Sequence, residues 1–219
     1  MFFACWSVKG GSGASVVAAG LALSLARGSA TGALLVDCDG DAPAVLGVAE
    51  PEGPGLAGWT AGAQGAAALS RLEQPAGSGL AVLPRGDGPL DASRADELLD
   101  ALTGQPRPVV VDAGLLAANG DADHELARCL AAGATHSLLV TRPCYLALRR
   151  VAAAPIRPSG VVLVTEDGRS LRAADVEAVV EAPVVAEVPQ DASIARAVDA
   201  GLLARRLPRS LERSLRSAA

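Results

Sequence analysis

Lys9-Gly10-Gly11-Ser12-Gly13-Ala14-Ser15 holds three glycines within four positions, a lysine before them and a hydroxyl after. Glycines let backbone N–H groups curl around an anion, and a helix starting just beyond adds its positive dipole end. That is the chemistry of a phosphate cradle. Further along, Asp37 and Asp39 follow Leu34-Leu35-Val36, and Asp112 follows Val109-Val110-Val111. Such carboxylates close apolar runs, at what would be the ends of strands. Each feature also has a plain structural reading. A glycine loop can be a tight turn, and strand-end acids commonly cap loops.

These residues need elements to hold them. Phe2–Val8 is short, apolar and bounded by glycines, which predicts a buried strand. Ser15–Arg27 carries apolar residues at helical spacing and stops before Gly28. Leu34–Asp37 reads as a second strand. Asp41–Gly79 is rich in Gly, Ala and Pro, with short helices expected around Leu56–Trp59 and Ala66–Leu72. Strands are then expected at Leu80–Leu83, Val109–Asp112, Ser137–Thr141, Val161–Thr165 and Val184–Val188. They alternate with helices over Ser93–Leu102, Asp121–Ala132, Tyr145–Ala153, Leu171–Glu181 and Ser193–Ala200, and a last helix is expected over about residues 208–217. Short continuous apolar strands alternating with amphipathic helices predict a doubly wound α/β domain, its mostly parallel sheet of about seven strands covered on both faces. In such a sheet, loops 9–15, 38–43 and 113–120 should converge at the carboxyl ends of the strands.

Composition narrows the class. The chain has 219 residues, is 50% hydrophobic and 20% charged, and has a net charge of -5. One domain spanning 1–219 is therefore expected, with neither the polarity of a disordered chain nor a global basic excess that would draw it to nucleic acid. Only 2% of residues are aromatic, so the core must be built from Val, Leu and Ala. Cys5, Cys38, Cys129 and Cys144 show no C-x-x-C spacing, which disfavours a zinc ribbon or redox pair and suits small core residues in a reducing compartment. No run reaches the ~20 apolar residues that span a bilayer. Met1–Val8 is apolar where a secretory signal would be basic. A cytoplasmic protein is expected.

The glycine loop departs from the G-x-x-x-x-G-K-[ST] frame of a Walker A motif. It resembles instead the deviant Walker A loop of the ParA/MinD family, K-G-G-x-G-K-[ST], with Lys9, Gly10, Gly11, Gly13 and Ser15 matching. Leu34–Asp39 is similar to that family's switch I strand and D-x-D. Val109–Asp112 is similar to its Walker B strand, and Leu80–Gly86 to its L-x-V-L-P-x-G strand. Val184–Pro189 followed by Ser193–Gly201 is similar to its late strand, P-x-D turn and helix. The resemblance covers essentially the whole chain and implies a P-loop NTPase fold of the SIMIBI type. It implies ATP or ADP over Gly10, Gly11, Ser12, Gly13, Ala14 and Ser15, Mg2+ on Ser15, Asp37 and Asp112, and Asp39 and Lys9 as catalytic residues. It also implies a homodimer in which Lys9 reaches the partner's nucleotide. Among the 19 basic residues Lys9 is the only lysine, in a chain that otherwise uses arginine.

Two positions depart from the family pattern. The lysine that holds the β- and γ-phosphates is Ala14, and no asparagine follows Val161–Thr165, where Glu166-Asp167-Gly168 stand instead. Loss of the cation should weaken hydrolysis most, because phosphoryl transfer depends on positioned charge. Such loops resemble those of the TadZ/CpaE branch. The implied function is a weakly or non-catalytic switch that positions a pilus, secretion or division complex. The rivals are a working ATPase with another cation in place of the lysine, a nucleotide-free scaffold, and a partitioning protein that binds DNA through a basic C-terminal end. In Arg205–Arg216, Leu207, Leu211 and Leu215 recur every four residues among five arginines. An amphipathic end of that kind could place the protein peripherally at the inner face of the membrane, though it is short and holds Pro208, and the ordinary terminal helix of the family that the chain resembles also falls here. His124 and His136 are weak signals, and His136, at a strand start, is read as structural.

Overall fold

The computed structural model describes residues 1–50, 52–117 and 124–218. In chain order the strands are β1 (Phe2–Ser7), β2 (Ala33–Asp37), β3 (Gln74–Gly77), β4 (Leu80–Leu83), β5 (Val109–Leu115), β6 (His136–Thr141), β7 (Gly160–Thr165) and β8 (Val184–Pro189). The α-helices are α1 (Ala14–Gly28), α2 (Ala42–Leu46), α3 (Gly55–Ala61), α4 (Ala95–Thr103), α5 (Glu125–Gly133), α6 (Tyr145–Val151), α7 (Ala173–Val180), α8 (Ala192–Asp199) and α9 (Arg209–Leu215). The expected helix start at Asp121 lies outside the described residues.

One eight-stranded sheet has the order β3-β4-β2-β5-β1-β6-β7-β8. Every pairing is parallel except that of β3 with β4. The strand beyond the expected seven is β3. Its sequence, Gln-Pro-Ala-Gly, carries no apolar run, and it forms because Ser78-Gly79 turns the chain back against β4 at the sheet edge, where a proline is tolerated.

Alternation along the strands sorts the core into two layers. Phe2, Ala4, Trp6 and Val8 pack on one face with the leucines of α4 and α5, while Phe3 and Cys5 pack on the other with α1. Trp6 donates its indole N–H to the Ser137 hydroxyl at 3.0 Å, so its one polar atom is satisfied inside the core. His136 stacks on Phe3, with ring centroids 4.7 Å apart, in agreement with its structural reading.

The C-terminal leucines belong to the core. Leu207, Leu211 and Leu215 do form one face, but that face is buried against α1 and β8. Gly20 of α1 makes the close approach: a Cβ there would stand 2.8 Å from Leu211 Cδ2 and 3.1 Å from Leu215 Cδ1. Glu212 pairs with Arg27 of α1 at 3.7 Å. With its apolar face spent on the core, α9 has none left to lay on a lipid surface. Among the described residues no helix is long and apolar enough to cross a membrane.

Candidate functional site

β1 ends level with β5, Ser7 against Leu115, while β6 runs on, and the glycine loop follows. Gly11 has φ 73° and Gly13 φ 94°, conformations that L side chains rarely adopt. Open space lies where side chains would be at Gly10 and Gly11. The Ser12 hydroxyl donates to the Lys9 carbonyl at 2.6 Å and closes the loop on itself. α1 then begins with no side-chain cap and no acid in its first turn. An uncapped helix end presents unpaired N–H groups and a positive dipole end, which is an anion site. Ala14 is buried at the first turn, and its methyl carries no charge to that site.

The acids lie one and two strands away. Asp37 on β2 and Asp112 on β5 are register partners, and both are fully buried. Asp37 is held by its own turn: Oδ1 accepts from the Asp39 and Gly40 amides at 3.2 and 2.7 Å, and Oδ2 from the Ala42 amide at 3.3 Å. Burial nevertheless pushes its pKa up to about 6, against the pull of those bonds. Asp112 Oδ1 accepts from the Gly114 amide at 3.2 Å, whereas Oδ2, also buried, has no hydrogen-bond partner. Burial first, and then the charge of Asp37, push Asp112 up to about 8, while the nearby Ser15 hydroxyl pulls the other way. A buried carboxylate oxygen without a partner, facing a hydroxyl from the first turn of α1, suits a hard cation. Among the described residues no cluster of three His, Cys, Asp or Glu forms a metal cage. Mg2+, which characteristically relies on few protein ligands plus phosphates and water, fits Ser15 and Asp112 on that basis. Asp37, already engaged with its turn, stands behind them.

Asp39 is drawn over β5 by a local irregularity. The β1–β5 register shifts between Cys5 and Trp6, so that Trp6 faces Gly114 instead of Ala113. Gly114 has φ 62°, and a Cβ there would lie 2.2 Å from Asp39 Oδ1. Partial burial and then Asp41 raise the Asp39 pKa, while His124 and Arg85 oppose them. The expected convergence of loops is thus seen for 38–43 and 113–117, joined by the Cys38 amide on the Asp112 carbonyl at 2.9 Å and the Leu116 amide on the Ser7 carbonyl at 2.8 Å. Residues 118–120 lie outside the described residues. Spacing does not single out Gly114 or Arg85, and His124 is only a weak signal in the sequence. A glycine two residues past a strand-end acid is the one signal that could have pointed to the first.

Lys9 is half-exposed at the mouth of the loop and, among the described residues, pairs with no carboxylate, Asp112 included. At the end of β7, a cleft of about 620 Å3 is lined by Glu166, Asp167 and Glu187 among others. Acids thus stand where the resemblance places an amide. Asp191, in the P-x-D turn, accepts the Ser193 amide at 2.7 Å and caps α8.

Because Asp112 is raised by burial, its sign in folding is fixed. The folded state keeps a proton that the unfolded chain releases near pH 4, so stability falls as pH rises from there through about 8. Asp112→Asn should therefore raise the melting temperature of the ligand-free protein at pH 8 and flatten its decline between pH 5 and 8. Thermal melts across that window check it. A variant that melts lower at pH 8, with the slope unchanged, would contradict the burial argument.

This arrangement of fold and site defines a P-loop-type nucleotide-binding domain. Residues 3–204 match the family model described as CobQ/CobB/MinD/ParA nucleotide binding domain, and the chain belongs to that family. Solved structures share the fold. The septum site-determining protein MinD of Pyrococcus horikoshii, complexed with Mg-ADP, is 20% identical with a TM-score of 0.74, over 98% of this chain and 92% of that one. A ParA family ATPase from Chlorobium tepidum is 18% identical with a TM-score of 0.74, over 97% and 94%. The MinD cell division protein of Aquifex aeolicus is 15% identical with a TM-score of 0.78, over 99% and 94%. A comparison with curated proteins finds no match.

Proposed function

We propose that this chain is a ParA/MinD-type nucleotide switch that binds ATP or ADP with Mg2+ and hydrolyses ATP weakly or not at all. The single observation that carries this is the pairing of an open, uncapped glycine cradle with a neutral methyl at Ala14. The backbone of Gly10–Ser15 would hold the phosphates, and Ser15 and Asp112 would hold Mg2+, whose charge offsets that of the phosphates. Asp39, beside Gly114, would orient a water, but position 14 brings no cation to the γ-phosphate of its own subunit. The biological reading follows from this chemistry: a state-dependent partner that positions a pilus, secretion or division complex, as in the TadZ/CpaE branch. Calorimetry with ATP and Mg2+, paired with a phosphate-release assay, tests it. Saturable binding with turnover far below ~1 s⁻¹ supports the reading.

Lys9 extends the proposal to a dimer. Its half-exposure, its place before the open glycines and the lack, among the described residues, of a carboxylate partner leave the ammonium available to a second subunit. A two-fold axis would set two identical loops face to face, and a compact charge on a flexible stem suits reaching a phosphate across that axis. Sedimentation with ATP should show a dimer at ~10⁻⁵ M, within reach of a modest interface, and Lys9→Ala should remain monomeric. If wild type stays monomeric, the dimer is excluded. If both dimerise equally, Lys9 has no part in it.

A further inference from the structure

Arg142 lies immediately past the end of β6, and its place relative to the glycine loop is fixed from both sides. On one side β1 pairs with β6 as far as Trp6 against Leu139, and β1 ends at Ser7 while β6 runs on to Thr141, so the glycine loop begins beside the end of β6 that Arg142 follows. On the other side Thr141 pairs with Leu163 of β7, so Arg142 comes beside Val164, and the Cβ position of Gly13 lies 3.9 Å from Val164 Cγ2. The loop therefore leaves the sheet beside the end of β6 and returns at Gly13 against Val164 of the neighbouring strand. It arches across the end of β6, where Arg142 sits. The alternation of β6 agrees: Leu138 and Val140 pack on the α1 face and Leu139 on the opposite one, so the same alternation carries Arg142 to the side of α1.

The backbone at Arg142 is pinned. Its carbonyl accepts the Cys144 amide at 2.8 Å and the hydroxyl of buried Thr141 at 3.4 Å. Its side chain is not. Among the described residues Arg142 joins no ion pair, and its buried Nε has no hydrogen-bond partner. A guanidinium N–H taken from water and given no acceptor is costly, and an oxygen-rich anion against it would remove that cost. Arg85 is the other arginine with a buried unpartnered nitrogen. It follows β4, three strands from β1, or ~14 Å at the usual strand spacing. Its stem lies against Gly40, where a Cβ would be 3.4 Å from Arg85 Cδ, so it serves the Asp37–Gly40 turn.

We propose that Arg142 binds the phosphate chain of the nucleotide in the glycine loop, supplying from β6 the cation that position 14 lacks. This rests on the nucleotide reading above and explains how binding persists where turnover does not. A fork arriving from the floor of the loop can hold phosphate oxygens, yet it is not the flexible point charge that a loop lysine would bring to the γ-phosphate. The test is calorimetry of ATP with Mg2+ on the full chain, for wild type, Arg142→Ala and Arg142→Lys, at several salt concentrations. Arg142→Ala should weaken binding ~10- to 100-fold, the scale of a charge-assisted hydrogen bond, and flatten its salt dependence. Arg142→Lys should retain part of the affinity and the full salt slope. Equal affinity and slope in wild type and Arg142→Ala would overturn the assignment while leaving nucleotide binding intact. Equal loss in both variants with the slope unchanged would show a packing role and also overturn it. A wild type that binds no ATP would overturn the nucleotide reading itself, and this assignment with it.

Discussion

Ala14→Lys should raise ATP turnover at least ~100-fold over a wild type that barely exceeds background, because a positioned charge donor in such a site is worth about 10²–10³ in rate. The other residues of the proposed phosphate site surround this position. Gly13 at φ 94° turns the chain into α1, Ser15 faces Asp112, and Asp39 is held above Gly114. Phosphoryl transfer asks little covalent chemistry of the protein and much electrostatic positioning, so one missing cation is a sufficient defect. Ala14→Met is the control, since it supplies a chain without the charge. Phosphate release from the two variants decides the matter. If the lysine variant stays as flat as the methionine variant, the limiting defect lies elsewhere, the acid-lined cleft at β7 being the first suspect.

Gly114→Ala should cost about 2–4 kcal/mol of stability and displace Asp39. Two effects add. A φ of 62° costs an L residue ~1–2 kcal/mol relative to glycine. The new Cβ would also stand 2.2 Å from Asp39 Oδ1 and 2.8 Å from its Cβ, so the side chain must leave. Asp39 is exposed and can swing toward solvent, which keeps the steric part modest. For a chain of this length the melting temperature should fall ~5–15 °C. Asp39→Ala in the same background separates the two contributions: with the carboxylate gone, the added loss from Gly114→Ala should shrink to the backbone part. An undiminished loss would mean that the two residues do not meet.

The sequence carried the alternation of strands and helices because each buried parallel strand is a continuous apolar run, as in Val109-Val110-Val111 and Val161–Val164. It also carried the glycine loop and the three aspartates, since both kinds of residue announce themselves by type. β3 was not legible, because Gln74–Gly77 has neither apolar content nor alternation and owes its state to the turn at Ser78-Gly79. The role of the C-terminal leucines stays open in the sequence for a related reason. Leu207, Leu211 and Leu215 have the spacing of an amphipathic face, but spacing does not say whether lipid or Gly20 of α1 receives it. Gly114 and Arg142 needed the register, which pairs residues more than a hundred positions apart.

The central claim is that the glycine loop still takes nucleotide although it has lost the residue that drives hydrolysis. Titration calorimetry of the wild-type chain with ATP and Mg2+, followed by phosphate release on the same sample, tests both halves at once. The account predicts one saturable site per chain, with phosphate release far below ~1 s⁻¹. No heat at millimolar ATP, or turnover at ~1 s⁻¹ or above, would contradict it.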